Sequence, residues 1–329
     1  MFSTLVDFFR EQIFTLKEGS YPFWLMYRGY VSPLGSLLHA RMLRKAKEQF
    51  PKGHRKLTTT TYSGVVVTIV SFAYDNYAYI VRKNMDVNQC LIVDCGDGEI
   101  IIDILKEFQW DPIAVLTTHK HWDHCYGNAA LKVAYPNACF IGGKVDRPSI
   151  CTRLVSDGEE LDLAGILIKV HEVFGHTLGH VVYEINQATT STDPPIIFTG
   201  DTIFVAGIGK TFEGTNEQMV ASLDQFKNKF CLGTILFPGH EYARDGLGMA
   251  NYLNPNHDTV YKAFQKVDAE YLQRIPSVPT TLGDEFTWNP FLRTSQLTDG
   301  AVTLISSFLQ DCGEKRVCMS GKDNVRRES

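Results

Sequence analysis

Residues 113–124 read IAVLTTHKHWDH, a short apolar run that ends on three histidines and one aspartate within six positions, His119, His121, Asp123 and His124. The first half predicts a buried strand, and the second a turn leaving its end. Imidazole and carboxylate are ligand types for zinc and iron, and such a turn can aim one set of side chains at one ion and the next at a second. The layout recurs along the chain. Gly175-His176-Thr177-Leu178-Gly179-His180 follows ILIKVHEV, Phe198-Thr199-Gly200-Asp201 closes PIIFTGD, and Phe237-Pro238-Gly239-His240 closes TILFPGH. Each sets a ligand type beside glycine at the end of an apolar run, so these positions are read together. His39, His54, His171 and His257 lack that setting and are read as structural, since imidazole has many such uses.

Further strand-like runs begin at Gly64 (GVVVTIVS), Tyr77 (YAYIV), Leu91 (LIVD), Cys139 (CFIGG) and His180 (HVVYEI). Helical patterns lie between them: GEIIIDILKEFQW from Gly98, GNAALKVAY from Gly127, and NEQMVASLDQFKNKF from Asn216, where Met219, Leu223 and Phe226 keep a 3–4 spacing. Mixed sheets with helices on their outer faces follow, an α+β fold. Beyond His240 the strand pattern stops. TVYKAFQKVDAEYLQRI from Thr259 predicts a helix, and the polar end GKDNVRRES predicts a loose tail. The basic, turn-rich PKGHRKLTTTTYSG at 51–64 marks a boundary. The expected organisation is an aromatic and basic helical arm at 1–50, a linker at 51–63, a catalytic domain at 64–242 and a C-terminal helical region at 243–329.

A chain of 329 residues with 44% hydrophobic and 21% charged positions buries a sizeable core. Its net charge of −5, from 32 basic and 37 acidic residues, leaves no cationic excess for a phosphate backbone, so no nucleic-acid partner is expected. The 8 cysteines form no CxxC pair and read as reduced thiols of an intracellular protein, cytoplasmic, peripheral to a membrane or mitochondrial. The opening MFSTLVDFFREQIF carries Asp7, Arg10 and Glu11 inside its apolar stretch, which does not suit a secretory signal. The uncharged run Gly29 to Ala40 is shorter than the roughly 20 residues that span a bilayer. Before Pro51, the aromatic residues Tyr21, Phe23, Trp24, Tyr27 and Tyr30 precede the basic Arg41, Arg44, Lys45 and Lys47. That order fits either peripheral contact with an anionic membrane or packing on the main domain.

The succession HxHxDH, GHTxGH, TGD and GHEY, with TGDTIFVAGIGKTFEG and FPGHEYA, resembles the metallo-β-lactamase superfamily and, within it, the glyoxalase II-like branch, over roughly Gly64 to Arg293. The resemblance implies an αβ/βα sandwich with two divalent metals at the strand-end edge between its halves. His119, His121 and His176 would hold the first, Asp123, His124 and His240 the second, with Asp201 bridging. Zinc is the expected ion, with iron or manganese as alternatives. Two nearby dications lower the pKa of a shared water and neutralise a developing oxyanion, and Asp123 and Asp201 offset their charge, which makes these two aspartates the expected catalytic carboxylates. Asp94, ending LIVD, would brace the ligand loop from behind. His180 is expected to be structural, and Lys120 and Trp122 to shape the loop.

Glyoxalase II enzymes hold the glutathione part of a thioester with a lysine in the GK segment, a tyrosine two residues later, the tyrosine of GHEY and a basic pair near the C-terminus. This chain has Lys210 and Tyr242 but Phe212 at the first tyrosine position, and its tail LISSFLQDCGEKRVC offers only Lys315 and Arg316. The implied activity is hydrolysis of acyl-glutathione or a related thioester. Two alternatives stand beside it: a persulfide dioxygenase-like enzyme with one iron and fewer ligands, and a membrane-associated scaffold whose metal site is structural.

Overall fold

The computed structural model describes residues 21–186 and 193–293. The chain opens with helices α1 (Tyr21–Tyr30) and α2 (Pro33–Gln49). It continues through β1 (Thr58–Tyr62), β2 (Val65–Phe72), β3 (Asn76–Arg82), β4 (Gln89–Val93), α3 (Gly98–Glu107), β5 (Asp111–Thr117), α4 (Trp122–Cys125), α5 (Asn128–Ala134), β6 (Cys139–Gly143) and β7 (Arg153–Val155). The second half holds β8 (Glu160–Leu163), β9 (Ile166–Val173), β10 (His180–Ile185), β11 (Ile196–Gly200), β12 (Ile203–Phe204), β13 (Gly207–Ile208), α6 (Asn216–Lys229) and β14 (Ile235–Pro238). Helices α7 (Ala243–Leu253) and α8 (Asp258–Leu272), strand β15 (Thr280–Thr281) and helix α9 (Leu282–Trp288) complete it.

Strands β1 to β7 form one sheet in sequence order, and a second sheet runs β15-β14-β11-β10-β9-β8. Period-2 alternation sends one set of side chains between the sheets. Val65, Val67, Ile69, Tyr79 and Leu116 meet Ile168, Val170, Tyr183, Phe198 and Phe237 there. The opposite faces take helices: Ile80, Ile92 and Val115 pack with Ile101 and Leu105 of α3, and Val182, Ile197 and Leu236 with Met219, Leu223 and Phe226 of α6. This is the expected αβ/βα sandwich, with a helical arm before it and helices after it. Burial at roughly 25 cal/mol per Å² of apolar surface is the main force holding the layers together.

Two sequence expectations need correction. Residues 51–63, read as a linker, contain β1, which pairs antiparallel with β2 from Thr58↔Ile69 to Tyr62↔Val65. The two-residue turn Ser63-Gly64, with φ of 46° and 78°, has the left-handed backbone that matches strand twist in a hairpin. Strands also do not stop at His240, because Thr280 and Thr281 extend the second sheet by pairing with Leu236 and Ile235. Among the described residues no helix is long and apolar enough to cross a membrane.

Chain direction places the site. Strands β4, β5 and β6 run parallel, as do β11 and β14, so Asp94, the His119–His124 loop, Asp201 and His240 all follow strand C-terminal ends on one edge of the sandwich. His176 joins them from the connection between β9 and β10.

Candidate metal centre

Three groups of side chains meet at that edge: His119, His121 and His176; His119, His124 and Asp201; and Asp123, His124 and His240, with the donor atoms in each within 4.8 Å of one another. His121 Nδ1 lies 3.0 Å from both His119 Nε2 and His176 Nε2. His240 Nε2 lies 3.3 Å from Asp123 Oδ2. Asp201 stands between the clusters, its Oδ2 3.4 Å from both His176 Nε2 and His240 Nε2 and its Oδ1 3.3 Å from His124 Nε2.

Each imidazole is gripped from behind through its other nitrogen, the arrangement that orients metal-binding histidines. His124 Nδ1 meets Asp94 Oδ2 at 2.9 Å, His240 Nδ1 meets Asp75 Oδ1 at 3.2 Å, and His176 Nδ1 meets the carbonyl of Lys210 at 2.7 Å. His119 Nδ1 lies 3.0 Å from Thr118 Oγ1, which itself donates to Asp94 Oδ2 at 2.8 Å. His121 Nε2 lies 3.0 Å from the hydroxyl of Tyr27. Asp94 also accepts from the Thr118 amide at 2.8 Å, so one carboxylate braces the ligand loop through three contacts.

The site has the electrostatics of a cation pocket. Burial lowers the pKa values of His119, His121 and His176, and neighbouring imidazoles add to this, so these rings are neutral and able to coordinate. At His124 burial again opposes the charged form, but Asp201, Asp123 and Asp94 outweigh it and hold its pKa up at about 10. Burial likewise penalises the charged carboxylates of Asp123 and Asp201, and the imidazoles around them keep both ionised.

The donor set fits divalent cations on two further counts. His124 Nε2 and Asp201 Oδ1 are buried without a hydrogen bond, a costly state for polar atoms unless something else binds them. Gly239 keeps the space clear: a Cβ there would stand 2.5 Å from Asp201 Oδ1 and 2.6 Å from His124 Cε1. The clusters and the fold support a two-metal site.

Residues 73–240 match the family model for the metallo-beta-lactamase superfamily. The chain belongs to that superfamily. Residues 241–318 of this metallo-β-lactamase superfamily member match the model for the hydroxyacylglutathione hydrolase C-terminus. A hydroxyacylglutathione hydrolase of Synechococcus sp. (strain JA-2-3B'a(2-13)) is 37% identical over 224 residues, 68% of this chain and 86% of that protein. The cytoplasmic hydroxyacylglutathione hydrolase of Arabidopsis thaliana is 35% identical over 223 residues, 68% of this chain and 85% of that protein. These matches put the chain in the glyoxalase II-like branch. The solved BLEG-1 B3 metallo-beta-lactamase shares the fold, with a TM-score of 0.50 at 22% identity over 66% of this chain and 94% of its own.

The other residues singled out in this superfamily member lie around the clusters. Phe212 sets its ring centroid 5.3 Å from His121 and 5.3 Å from His176. The Lys210 ammonium lies over the Phe23 and Phe212 rings, at 5.2 and 6.0 Å. The Tyr242 ring stacks on His240 at 4.9 Å. Lys120 turns outward to Glu213, Nζ to Oε1 2.6 Å, and the Trp122 indole donates to the Tyr30 carbonyl at 2.8 Å, so both shape the loop. His180, expected only to be structural, accepts from the Asp201 amide at 3.1 Å and so positions the carboxylate between the clusters. Lys315 and Arg316 lie outside the described residues. His39, His54 and His171 bond Gly96 O, Asn76 O and Glu184, and His257 caps α8.

The arm packs on the main domain, one of its two expected readings. One reading kept it apart from the catalytic core, yet α1 lies on the site, with Phe23 and Tyr27 buried against Phe212 and the Tyr30 hydroxyl donating to Asp123 Oδ1 at 3.0 Å. The aromatic residues of YPFWLMYRGY suit a protein groove as well as a lipid surface. Asp75, Thr118 and Glu213 also escaped the sequence reading as site residues. Asp75 stands two residues before YAYIV, Glu213 lies in KTFEG, and Thr118 adjoins the first histidine.

Proposed function

We propose that the chain is a binuclear metal-dependent thioester hydrolase that acts on acyl-glutathione or a related thioester. The observation that carries this reading is Asp201, whose carboxylate is within 3.4 Å of imidazoles from both clusters. The hydroxyacylglutathione hydrolases that match most of the chain give the substrate class. His119, His121 and His176 would hold one divalent cation and Asp123, His124 and His240 the second, with Asp201 shared between them. Zinc is the ion we propose, because a donor set of imidazole and carboxylate suits it, with iron or manganese as the alternatives. When bound, the pair supplies Lewis acidity at the acyl carbonyl and lowers the pKa of water.

The protein's own groups orient and bind. Asp94, Asp75, Thr118 and the Lys210 carbonyl lock four imidazoles with the coordinating nitrogen inward. Asp123 and Asp201 reduce the net charge of the loaded site. Lys210 supplies a cation for a carboxylate of the thiol carrier, and Tyr242 lies beside His240 on the same edge. A thiol of pKa near 8.5 leaves as the thiolate, so no side chain has to protonate it. The complete second cluster argues for two metals over the single iron of a dioxygenase. Elemental analysis beside an assay on lactoylglutathione tests the reading: one iron and no second metal after full loading would move it to the dioxygenase class.

The catalytic unit of this reading takes in β1 as well as 64–242, and α7, α8 and α9 extend it. Free, buried Cys90, Cys95 and Cys125 support a reducing, intracellular place of work, in the cytoplasm or mitochondria. The outer faces of α1 and α2 leave Trp24, Leu25, Leu34 and Leu37 exposed, which supports a further role in peripheral membrane contact. Binding to anionic liposomes tests that role.

A further inference from the structure

Helix α1 reaches both clusters with one phenol each. The Tyr27 hydroxyl donates to Glu213 Oε1 at 2.9 Å and lies 3.0 Å from His121 Nε2. Glu213 is paired with Lys120 and also accepts from the Leu178 amide, so its carboxylate only accepts. A phenol has a single proton to give. With that proton directed at Glu213, the Tyr27 oxygen accepts from His121, which therefore carries its hydrogen on Nε2. Its bare nitrogen is then Nδ1, the atom 3.0 Å from both His119 Nε2 and His176 Nε2. The run Glu213, Tyr27, His121 fixes the one tautomer that turns a lone pair inward.

Tyr30, three residues on, does the equivalent for the other cluster. Its hydroxyl donates to Asp123 Oδ1 at 3.0 Å, while Asn76 Nδ2 holds Asp123 Oδ2 at 3.1 Å. Oδ1 is thereby turned away and Oδ2 is presented to His240 Nε2 at 3.3 Å. The helix is pinned where this matters, because the Trp122 indole of the ligand loop donates to the carbonyl of Tyr30. Residues three apart share a helix face, so a single docking event places both hydroxyls.

We propose that Tyr27 and Tyr30 are positioning residues for the two metal clusters, one hydroxyl for each, and that the seating of α1 is thereby coupled to metal retention. This rests on the ligand assignment proposed above. Coupling is reciprocal: if the seated helix strengthens metal binding, bound metal holds the helix down by the same factor.

The test uses the full chain with zinc. The metal content of the wild type, measured first, reports on the ligand assignment alone. Tyr27→Phe and Tyr30→Phe then keep the rings and remove only the hydroxyls. Zinc affinity, measured by competition with a chromophoric chelator, should fall roughly tenfold or more for one site in each variant, the usual effect of losing an outer partner of a ligand. The sites are told apart by repeating each substitution in a His240→Ala background, where only the first cluster is intact. There Tyr27→Phe should still weaken binding and Tyr30→Phe should not. In the wild type, amide hydrogen exchange over residues 21–30 should slow when zinc is added. Two zinc ions in the wild type, with variant affinities unchanged within twofold and exchange in α1 indifferent to metal, would overturn the proposal and leave the ligand assignment standing. A wild type that holds no zinc would overturn both.

Discussion

Asp94 Oδ2 lies 2.9 Å from His124 Nδ1 and accepts from Thr118 Oγ1 at 2.8 Å, and this one carboxylate ties together two imidazoles of the clusters, since Thr118 Oγ1 also touches His119. Replacing Asp94 by Ala removes the brace from both. Zinc affinity should fall by about tenfold to a hundredfold, with the His124 site losing its ion first. Chelator competition on the purified variant measures it, and an affinity equal to the wild type would place the brace elsewhere.

Asp201 and His240 separate the clusters. Asp201→Ala should empty both sites, because its two oxygens face imidazoles from each. His240→Ala should empty mainly the second. Metal-to-protein ratios from elemental analysis, taken after dialysis against excess zinc, should rank wild type above His240→Ala above Asp201→Ala. Full metal content in Asp201→Ala would show that the carboxylate does not bridge.

His54 gives a pH signature outside the site. It is buried against Asn76 O, and burial lowers its pKa from 6.5 to about 4. In the unfolded chain it binds a proton below about pH 6.5, while the native state refuses one until about pH 4. The unfolded state therefore binds more protons in that window, and native stability is lost as pH falls from 6.5 towards 4. The contribution is at most about 3 kcal/mol. Urea unfolding of wild type and His54→Gln at pH 5 and 7.5 checks the sign: the wild type should lose more stability between the two, and equal losses would contradict the assignment.

Lys210→Ala should act on binding more than on chemistry. The backbone carbonyl that holds His176 is unchanged, while the ammonium offered to the carrier is gone. A charge-assisted contact is worth about 1.5–3 kcal/mol, so KM for lactoylglutathione should rise about tenfold or more with kcat nearly constant. An unchanged KM would mean that the carrier is held by other residues.

The proposed ligands are legible because metal chemistry restricts them to a few side-chain types at strand ends, and the β-branched runs around them mark those strands. The strands β2 to β6, β9 to β11 and β14 follow from such runs, and α3, α5, α6 and α8 from helical spacing. Strands β12, β13 and β15 span two residues each and are too short for any periodicity to register. Strand β1 was masked by the polar, basic residues before it. The outer partners were hidden for a different reason. Asp75 meets His240 across 165 positions and Tyr27 meets His121 across 94, so these pairings exist only after the sheets have stacked and α1 has docked. Phe212 shows the same limit: the sequence marks the missing hydroxyl, but not that Tyr27 stacks on the ring at 5.3 Å.

On the proposed function, two metals held by these clusters hydrolyse a thioester. Thiol release from lactoylglutathione, followed while zinc is titrated into the metal-free full chain, tests it most directly. Turnover should rise until two zinc ions are bound per chain and disappear on chelation. Two bound zinc ions with no thiol released would contradict it.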